Sequence, residues 1–508
     1  SNLVTPDYSN PCINCNYPKC NKYINIYINS IPYKVKSNSS IYEVLINNNI
    51  PFRSYCGGNK RCGKCLVTIK DNHTLIQVQA CKTICSEGLE IFTSNETAMI
   101  VEKGYTGPIH QNTFTDESDS YGITFDVGTS TIAGALYELN TGRQVKIETE
   151  KNEQLIYGAD VISRIQYSVT NPEGLDNLNS IIIKQLNIMI ASLCDDLNKL
   201  SKIIIVGNPT MISIINKIDL KSLSEYPFVS KVNETIYVEA KKIGLITNAL
   251  VTFIYGVSAF VGSDVVAGVI ASKMYELKDY QLLVDIGTNG EIVLACNDAI
   301  YSCSTAAGPA FEGGNISCGV PSITGAINKV TLNNNEVTYE TINNAPPIGF
   351  CGSGIIDLIA SLLDNKEINS YGTFINKDYK ELDFNNNVFT FTQQDIREFQ
   401  LAKSAIKTGI ELLLKKANIN STMLEKVYIS GGFGSNINIV NAIKLGLFPI
   451  DLQDKIIPIG NSALYGATLY LLSSKHREIY AKLQNKFIAL DLNNEPEFTD
   501  LFIKNINF

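Results

Sequence analysis

The chain has 508 residues, 45% hydrophobic and 18% charged, with a net charge of −8. That acidic balance excludes a broad nucleic-acid footprint, and no apolar run reaches the length of a membrane helix, the best candidate, Gly256 to Ala271, being interrupted by Asp264. The N-terminal SNLVTPDYSN has neither the basic region nor the apolar stretch of a signal peptide. The expectation is therefore a soluble, cytoplasmic chain of about three domains, with no membrane and no nucleic-acid partner.

The thirteen cysteines are unevenly placed. Cys12, Cys15, Cys20, Cys56, Cys62, Cys65, Cys81 and Cys85 all precede residue 90. Without an export signal, such clustering favours metal binding over disulfides. Residues 1–21 read as an N-terminal arm, where Cys12, Cys15 and Cys20 either form part of a second metal site or are incidental. From 22 to 95, YINIYIN and YKVK read as short strands, SIYEVLINNN as a helix, and KCLVTI with LEIF as further strands. Within this region YCGGNKRCGKC spaces Cys56, Cys62 and Cys65 as C-x5-C-x2-C, and Cys81 follows. Four thiolates close the coordination of a 2Fe–2S cluster, two to each iron. A loop that sets three thiolates around one small object must bend sharply. Gly57, Gly58 and Gly63 permit that bend and leave N–H groups free to approach the cluster sulfurs. A structural zinc site also accepts four cysteines, but the glycine loop and the strand order favour the cluster. The QACKT context favours Cys81 over Cys85 as the fourth ligand. The whole order resembles the β-grasp 2Fe–2S ferredoxins, with a first gap closest to that of the adrenodoxin-like members.

Residues 96–120 lack sustained periodicity and end in an acidic, polar run, which suits a linker or a strap. Beyond them, 121–508 carries an internal echo. ITFDVGTSTIAGALY and LLVDIGTNGEIVLAC both run apolar strand, Asp, apolar, Gly-Thr, small polar residues, apolar strand. Two related lobes are expected, roughly 121–280 and 281–508. The physics of the motif is phosphate binding. Each strand carries an Asp to its end, and Gly128 or Gly287 supplies unusual turn dihedrals. Backbone N–H groups and the Thr129, Ser130, Thr131 and Thr288 hydroxyls then surround phosphate oxygens, with Asn289 and Gly290 completing the second loop. Asp126 and Asp285 are placed to hold Mg²⁺ through water, which that ion gives up reluctantly. One such Asp-Gly hairpin more often makes an ordinary turn; two matched copies carry the reading. Further on, KVYISGGFGSN ends an apolar strand in Gly431, Gly432 and Gly434, where backbone can approach adenine and ribose. GNSALYGATLYLL then begins a helix with small residues on one face.

This combination resembles the actin-like ATPase superfamily, which includes sugar kinases and heat-shock chaperone ATPases. The resemblance implies that the two hairpins are ATP phosphate loops and that Gly431–Gly434 is the adenosine loop. It also implies that Asp264, in FVGSDVVAGVIA, orients the hydrolytic water; on local grounds Asp264 is equally a helix-start carboxylate favoured by the helix dipole. Glu312 in GPAFEGG is a further candidate for a catalytic part. The expected fold is α/β plus α+β: a β-grasp ferredoxin domain, a linker, and a two-lobed actin-like ATPase.

The fusion resembles the reductive activators of corrinoid proteins over nearly the whole chain from residue 22. The resemblance rests on CGGNKRCGKC, NEQLIYGADVISRI, VGNPTM, CSTAAGPAFEGG, CGSGIIDLIA, LAKSAIKTGIELLL and SGGFGSN. It implies ATP-driven transfer of one electron from the cluster to a Co(II) corrinoid protein, restoring Co(I) for methyl transfer. An upstream low-potential donor would reload the cluster. Because actin-like folds often pair, a homodimer is expected. Within the family-like stretch, Asn152, Gln154, Asp160 and Arg164 are expected to contact the partner or couple the two halves. Two departures stand out: the N-terminal three-cysteine arm, and FDVGTST following the linker directly, where some members carry an extra middle domain. Rival readings are a nucleotide-gated redox sensor and an electron donor to another low-potential acceptor, such as a radical dehydratase. The activators of such dehydratases resemble only the ATPase part.

Overall fold

The computed structural model describes residues 23–29, 31–48, 50, 60, 65–71, 74–93, 119–276, 278–296, 299–333, 336–384, 387–431 and 437–508. Cys12, Cys15, Cys20, Cys56, Cys62, Gly432 and Gly434 lie outside these residues. The chain falls into two compact units, one of residues 1–97 with 153–167, the other of 98–152 with 168–508. The segment 153–167 thus crosses the boundary drawn from sequence, which assigned it to the ATPase part.

In the first unit, β1 (Tyr23–Ile28), β2 (Ile31–Lys36), α1 (Ile41–Asn47), β3 (Leu66–Asp71), β4 (Thr74–Gln79) and β5 (Glu90–Phe92) form a mixed sheet, order β2-β1-β5-β3-β4, with one helix. Strand β1 alternates exposed and buried positions, the period of a half-buried strand. Its Ile24, Ile26 and Ile28 enter a core shared with Val44 and Leu45 of α1 and with Cys65, Cys81 and Cys85. A capping box starts α1: the Ser40 hydroxyl accepts from the Glu43 N–H while the Glu43 carboxylate accepts from the Ser40 N–H. Strand β4 was not anticipated from the sequence. In the 153–167 segment, the Ile156 carbonyl accepts from the Tyr42 hydroxyl at 3.0 Å. Arg164, fully buried, donates to the Gly158 carbonyl at 3.0 Å and to Gln154 Oε1 at 3.2 Å.

The second unit is built twice over. β6 (Tyr121–Val127), β7 (Thr131–Glu138) and β8 (Gln144–Lys151) run antiparallel. After α2 (Val161–Thr170), which begins in the first unit, and α3 (Gly174–Leu193), β9 (Leu200–Gly207) returns parallel to β6. α4 (Pro209–Ile215), α5 (Lys221–Ser224), β10 (Ile236–Glu239), β11 (Leu250–Phe253) and α6 (Ser263–Ala271) complete this lobe, whose sheet order is β10-β11-β9-β6-β7-β8. The second lobe repeats the plan with β12 (Gln281–Ile286), β13 (Gly290–Cys296) and β14 (Ala299–Thr305). An excursion follows through β15 (Ala326–Asn333), β16 (Glu336–Thr341), β17 (Gly349–Phe350), α7 (Gly352–Asp364), β18 (Tyr379–Phe384), β19 (Asn387–Thr392) and the long α8 (Gln393–Lys416). β20 (Lys426–Ser430) then lies parallel to β12, and after α9 (Ile439–Lys444), β21 (Ile456–Gly460) lies parallel to β20. α10 (Ser462–Leu472), α11 (Ser474–Leu483), β22 (Phe487–Ala489) and α12 (Phe498–Lys504) close the chain. The run β8-β7-β6-β9-β11 is matched by β14-β13-β12-β20-β21 in order and in strand sense.

Both β6 and β12 are buried along most of their length, as expected for strands covered on two faces. Helices α6 and α10 meet backbone to backbone: a Cβ on Gly466 would stand 2.1 Å from the Ala267 carbonyl oxygen. One apolar cluster joins Ala133 and Ile204 of the first sheet to Leu283 and Val293 of the second through Val266 and Ala467 of these helices. This contact fixes the two strand ends that carry Asp126 and Asp285. Among the described residues, no helix is long and apolar enough to cross a membrane.

Candidate nucleotide and iron–sulfur sites

The two hairpins that echo in sequence also echo in burial. Residues 125–130 and 284–289 both alternate buried and half-buried, with Thr129 and Thr288 inward and Asp126 and Asp285 at the half-buried strand ends. Gly128 and Gly287 do not adopt left-handed backbone, contrary to the expectation that they supply unusual dihedrals. Gly128 is needed for close approach instead: a Cβ there would lie 2.8 Å from the Thr131 carbonyl oxygen, to which the Gly128 N–H donates at 2.9 Å. The second turn is one residue tighter, with the Gly287 N–H donating to the Asn289 carbonyl at 3.0 Å. As a result Asp285 faces Glu291 across the hairpin, where Asp126 faces Ala133.

The hairpin tips meet. Ser130 Oγ and Thr288 Oγ1 are 3.1 Å apart, Ser130 donates to Glu312 Oε2 at 3.2 Å, and Thr288 donates to the same oxygen. Burial pushes the Glu312 carboxyl up, and the Thr288 and Ser130 hydroxyls pull it back down. Around this point the first hairpin is braced from outside. Asn152 donates to the Gly128 carbonyl at 2.9 Å, and Asn208 donates to Thr129 Oγ1 at 3.0 Å. Asn461, which also caps α10, donates to Asp126 Oδ2 at 2.9 Å. Thr131, Asn289 and Gly290 lie at the strand starts that follow the two turns. Gly431 sits in left-handed backbone, φ +92°, and a Cβ there would come within 2.9 Å of Asp285 Oδ1. This glycine therefore backs the Asp285 carboxylate directly, in addition to the adenosine contact expected from sequence.

Asp264 stands in the first turn of α6, its Oδ1 accepting from the Val265 N–H at 2.9 Å. Burial pushes its carboxyl up to about 6. Glu291 is pushed well above the usual range by burial first, then by the charges of Asp264 and Asp285, so three carboxyl groups share one environment. Sequence reasoning passed over Glu291, Asn208 and Asn461. Glu291 had a readable signal: a charged residue where the first copy of the echo is apolar.

In the first unit, Cys65 and Cys81 are buried with their sulfurs 3.1 Å apart, and the Cys81 N–H points at Cys65 Sγ at 3.4 Å. Two soft donors converging with an N–H aimed at sulfur fit two ligands of an iron–sulfur cluster. Burial pushes the Cys65 thiol up to about 11, because a thiolate is costly away from water. Cys85 is buried separately, its thiol pushed up by burial and by the Glu43 charge.

Family profiles match the chain in series. A 2Fe-2S iron-sulfur cluster binding domain covers 21–96, the RACo middle region 121–277, and the C-terminal domain of RACo, the ASKHA domain, 279–508. The middle-region match falls on the first lobe itself, which corrects the expectation that such a region is missing after the linker. The chain is 30% identical to the corrinoid activation enzyme RamQ of Eubacterium limosum, over 93% of this chain and 97% of that one. It is 23% identical to the [Co(II) methylated amine-specific corrinoid protein] reductase of Methanosarcina barkeri, over 76% and 77%. The solved structure of a reductive activator for corrinoid, iron-sulfur protein matches with a TM-score of 0.73 and 25% identity, covering 96% of this chain and 98% of that one.

Proposed function

The chain belongs to the family of reductive activators of corrinoid proteins, and on that premise we propose that it uses ATP to drive one electron onto the Co(II) centre of a corrinoid protein, regenerating Co(I) for methyl transfer. The observation that carries this reading is the meeting of the Ser130 and Thr288 hydroxyls, at 3.1 Å, between strand ends that bear Asp126 and Asp285. That is a phosphate cradle made from two lobes. It accompanies the first unit, in which Cys65 and Cys81 converge.

In this mechanism the Thr129, Ser130, Thr131 and Thr288 hydroxyls and the loop N–H groups hold the ATP phosphates. Asp126, steadied by Asn461, and Asp285, backed by Gly431, would hold Mg²⁺, which would neutralise phosphate charge there. Asp264, with a carboxyl pushed up to about 6, is poised near neutral pH to take the proton of the attacking water. The residues Gly431–Gly434 lie against the adenosine. Cys65 and Cys81, with Cys56 and Cys62, would hold a 2Fe–2S cluster, which supplies a one-electron carrier when bound. A low-potential donor reloads it. Each 100 mV of uphill transfer costs about 2.3 kcal/mol for one electron. Nucleotide can offset that only by favouring one conformation of the complex over another.

The test is anaerobic. The reduced protein is mixed with a Co(II) corrinoid protein, and the Co(I) absorption band is followed with and without Mg-ATP. ATP-dependent Co(I) formation, abolished by Cys65→Ala and by Asp285→Ala, is the expected result. Cobalt that stays Co(II) with several corrinoid partners, while ATP still binds, would make the redox-sensor reading the better one.

A further inference from the structure

Glu312 holds both phosphate hairpins at once. Its Oε2 accepts from Ser130 of the first and from Thr288 of the second, and its Oε1 lies 3.8 Å from where a Cβ on Gly287 would be. A hydroxyl has one proton to donate. Ser130 and Thr288 therefore cannot serve Glu312 and a phosphate oxygen at the same time, and a carboxylate left beside a polyphosphate is repelled by it.

The turn that carries Glu312 is built to be moved as a piece. Residues Pro309–Glu312 form one turn of 3-10 helix between Gly308, φ +77°, and Gly313, φ +75°. Gly308 has nothing within 4 Å of its Cβ position, whereas Gly313 is wedged, with the Val320 carbonyl oxygen 2.3 Å from a Cβ there. On both sides of Glu312 the turn is tied to α8. Phe311 packs edge-on against Phe399 at 5.5 Å, and the Ser317 N–H and hydroxyl donate to Asp395 Oδ1 at 2.7 and 3.0 Å. Asp395 is itself the capping-box residue in the first turn of α8.

We propose that Glu312 is a displaceable anion. Its carboxylate and the terminal phosphate of the nucleotide compete for the Ser130 and Thr288 hydroxyls, and its displacement carries nucleotide occupancy through the 309–320 turn to α8. The inference rests on the nucleotide reading of the hairpins. It makes Glu312 a positioning residue whose removal strengthens ground-state binding, the opposite of what loss of a phosphate or metal contact would do.

The test uses the full chain and a non-hydrolysable ATP analogue, titrated calorimetrically in Mg²⁺ and in EDTA. Hydrogen exchange is followed over 309–320 and the first turn of α8. Glu312→Gln keeps the size and removes the charge. It is expected to bind the analogue about tenfold more tightly in both buffers and to lose most of the nucleotide-dependent exchange change seen in the parent protein. Glu312→Asp, which withdraws a retained charge, should shift in the same direction by less, and it serves if the Gln variant does not fold. Weaker binding confined to Mg²⁺ would mark Glu312 as a partner of the cation and overturn the proposal. Unchanged affinity with lost hydrolysis would mark it as a base and overturn it equally. A parent protein that binds no nucleotide would overturn the nucleotide reading first, and this inference with it.

Discussion

Replacing Asn152 by Ala tests whether the first hairpin, proposed to hold phosphate, depends on the amide that braces it from outside. Asn152 is fully buried, and its amide donates to the Gly128 carbonyl at 2.9 Å while its own N–H donates to the Ser130 carbonyl at 2.9 Å. The substitution keeps the backbone bond and deletes the side-chain donor. A carbonyl that loses its partner in a partly buried place costs about 1–3 kcal/mol. If the hairpin must be reordered each time nucleotide binds, that cost is subtracted from affinity. The expected result is about five- to a hundredfold weaker binding of a non-hydrolysable ATP analogue. Calorimetric titration gives the affinity, and a thermal melt confirms that the variant is folded. Asn152→Asp, similar in size, sets a carboxylate oxygen against the Gly128 carbonyl and should weaken binding at least as much. A folded Asn152→Ala protein with affinity within twofold of the parent would refute the reasoning.

Three further outcomes are expected. Asn461→Ala removes the donor to Asp126 and the cap of α10; it should cost about 1 kcal/mol of stability and reduce the ratio of nucleotide affinity in Mg²⁺ to that in EDTA, which titration in the two buffers measures. Stripping iron under reducing conditions, or Cys81→Ser, should abolish visible absorbance and electron delivery while leaving nucleotide affinity within about twofold, because the hairpins belong to the other unit. Lys403 is 0% exposed in α8, where it donates to the carbonyls of Asn505 and Asn507, and burial, then the Lys407 charge, pushes its ammonium down to about 7 from 10.5. Between those values the unfolded chain holds a proton that the native chain has released, so the contribution to stability rises with pH through this window. From pH 7 to 9 the gain is about 2 kcal/mol. The denaturation midpoint of the parent should therefore improve relative to Lys403→Met over that interval, and a constant difference would show that Lys403 does not titrate there.

Much of the architecture was readable because it is written in short stretches. Asp-x-Gly-Thr recurs at 126–129 and 285–288, and a strand-turn-strand motif is decided by neighbours a few residues apart, so its doubling announced two lobes. A 2Fe–2S domain was likewise legible in the cysteine-rich stretch of 22–95, and Ser40 with Glu43 marks the start of α1 by a three-residue offset. Strand β4 was not read from the sequence, although it pairs antiparallel with β3 from Leu66–Gln79 to Asp71–Thr74. Glu291, Asn208 and Asn461 escaped for a physical reason. Glu291 faces Asp285 only because the second hairpin is one residue tighter. Asn461 reaches Asp126 from 335 residues away, through the backbone contact of α6 with α10.

Those distant pairings divide what is local from what is assembled. Hydrophobic period, turn residues and ligand spacing act over a few residues and specify the strands, the hairpins and the thiol loop wherever they occur in space. Which carboxylates share a charge environment, which amide braces which loop, and which hydroxyls meet at 3.1 Å depend on how the two lobes pack. The Asp264 carboxyl is shifted by burial, and that of Glu291 by burial and by the charges of Asp264 and Asp285; neither environment exists until the elements pack together.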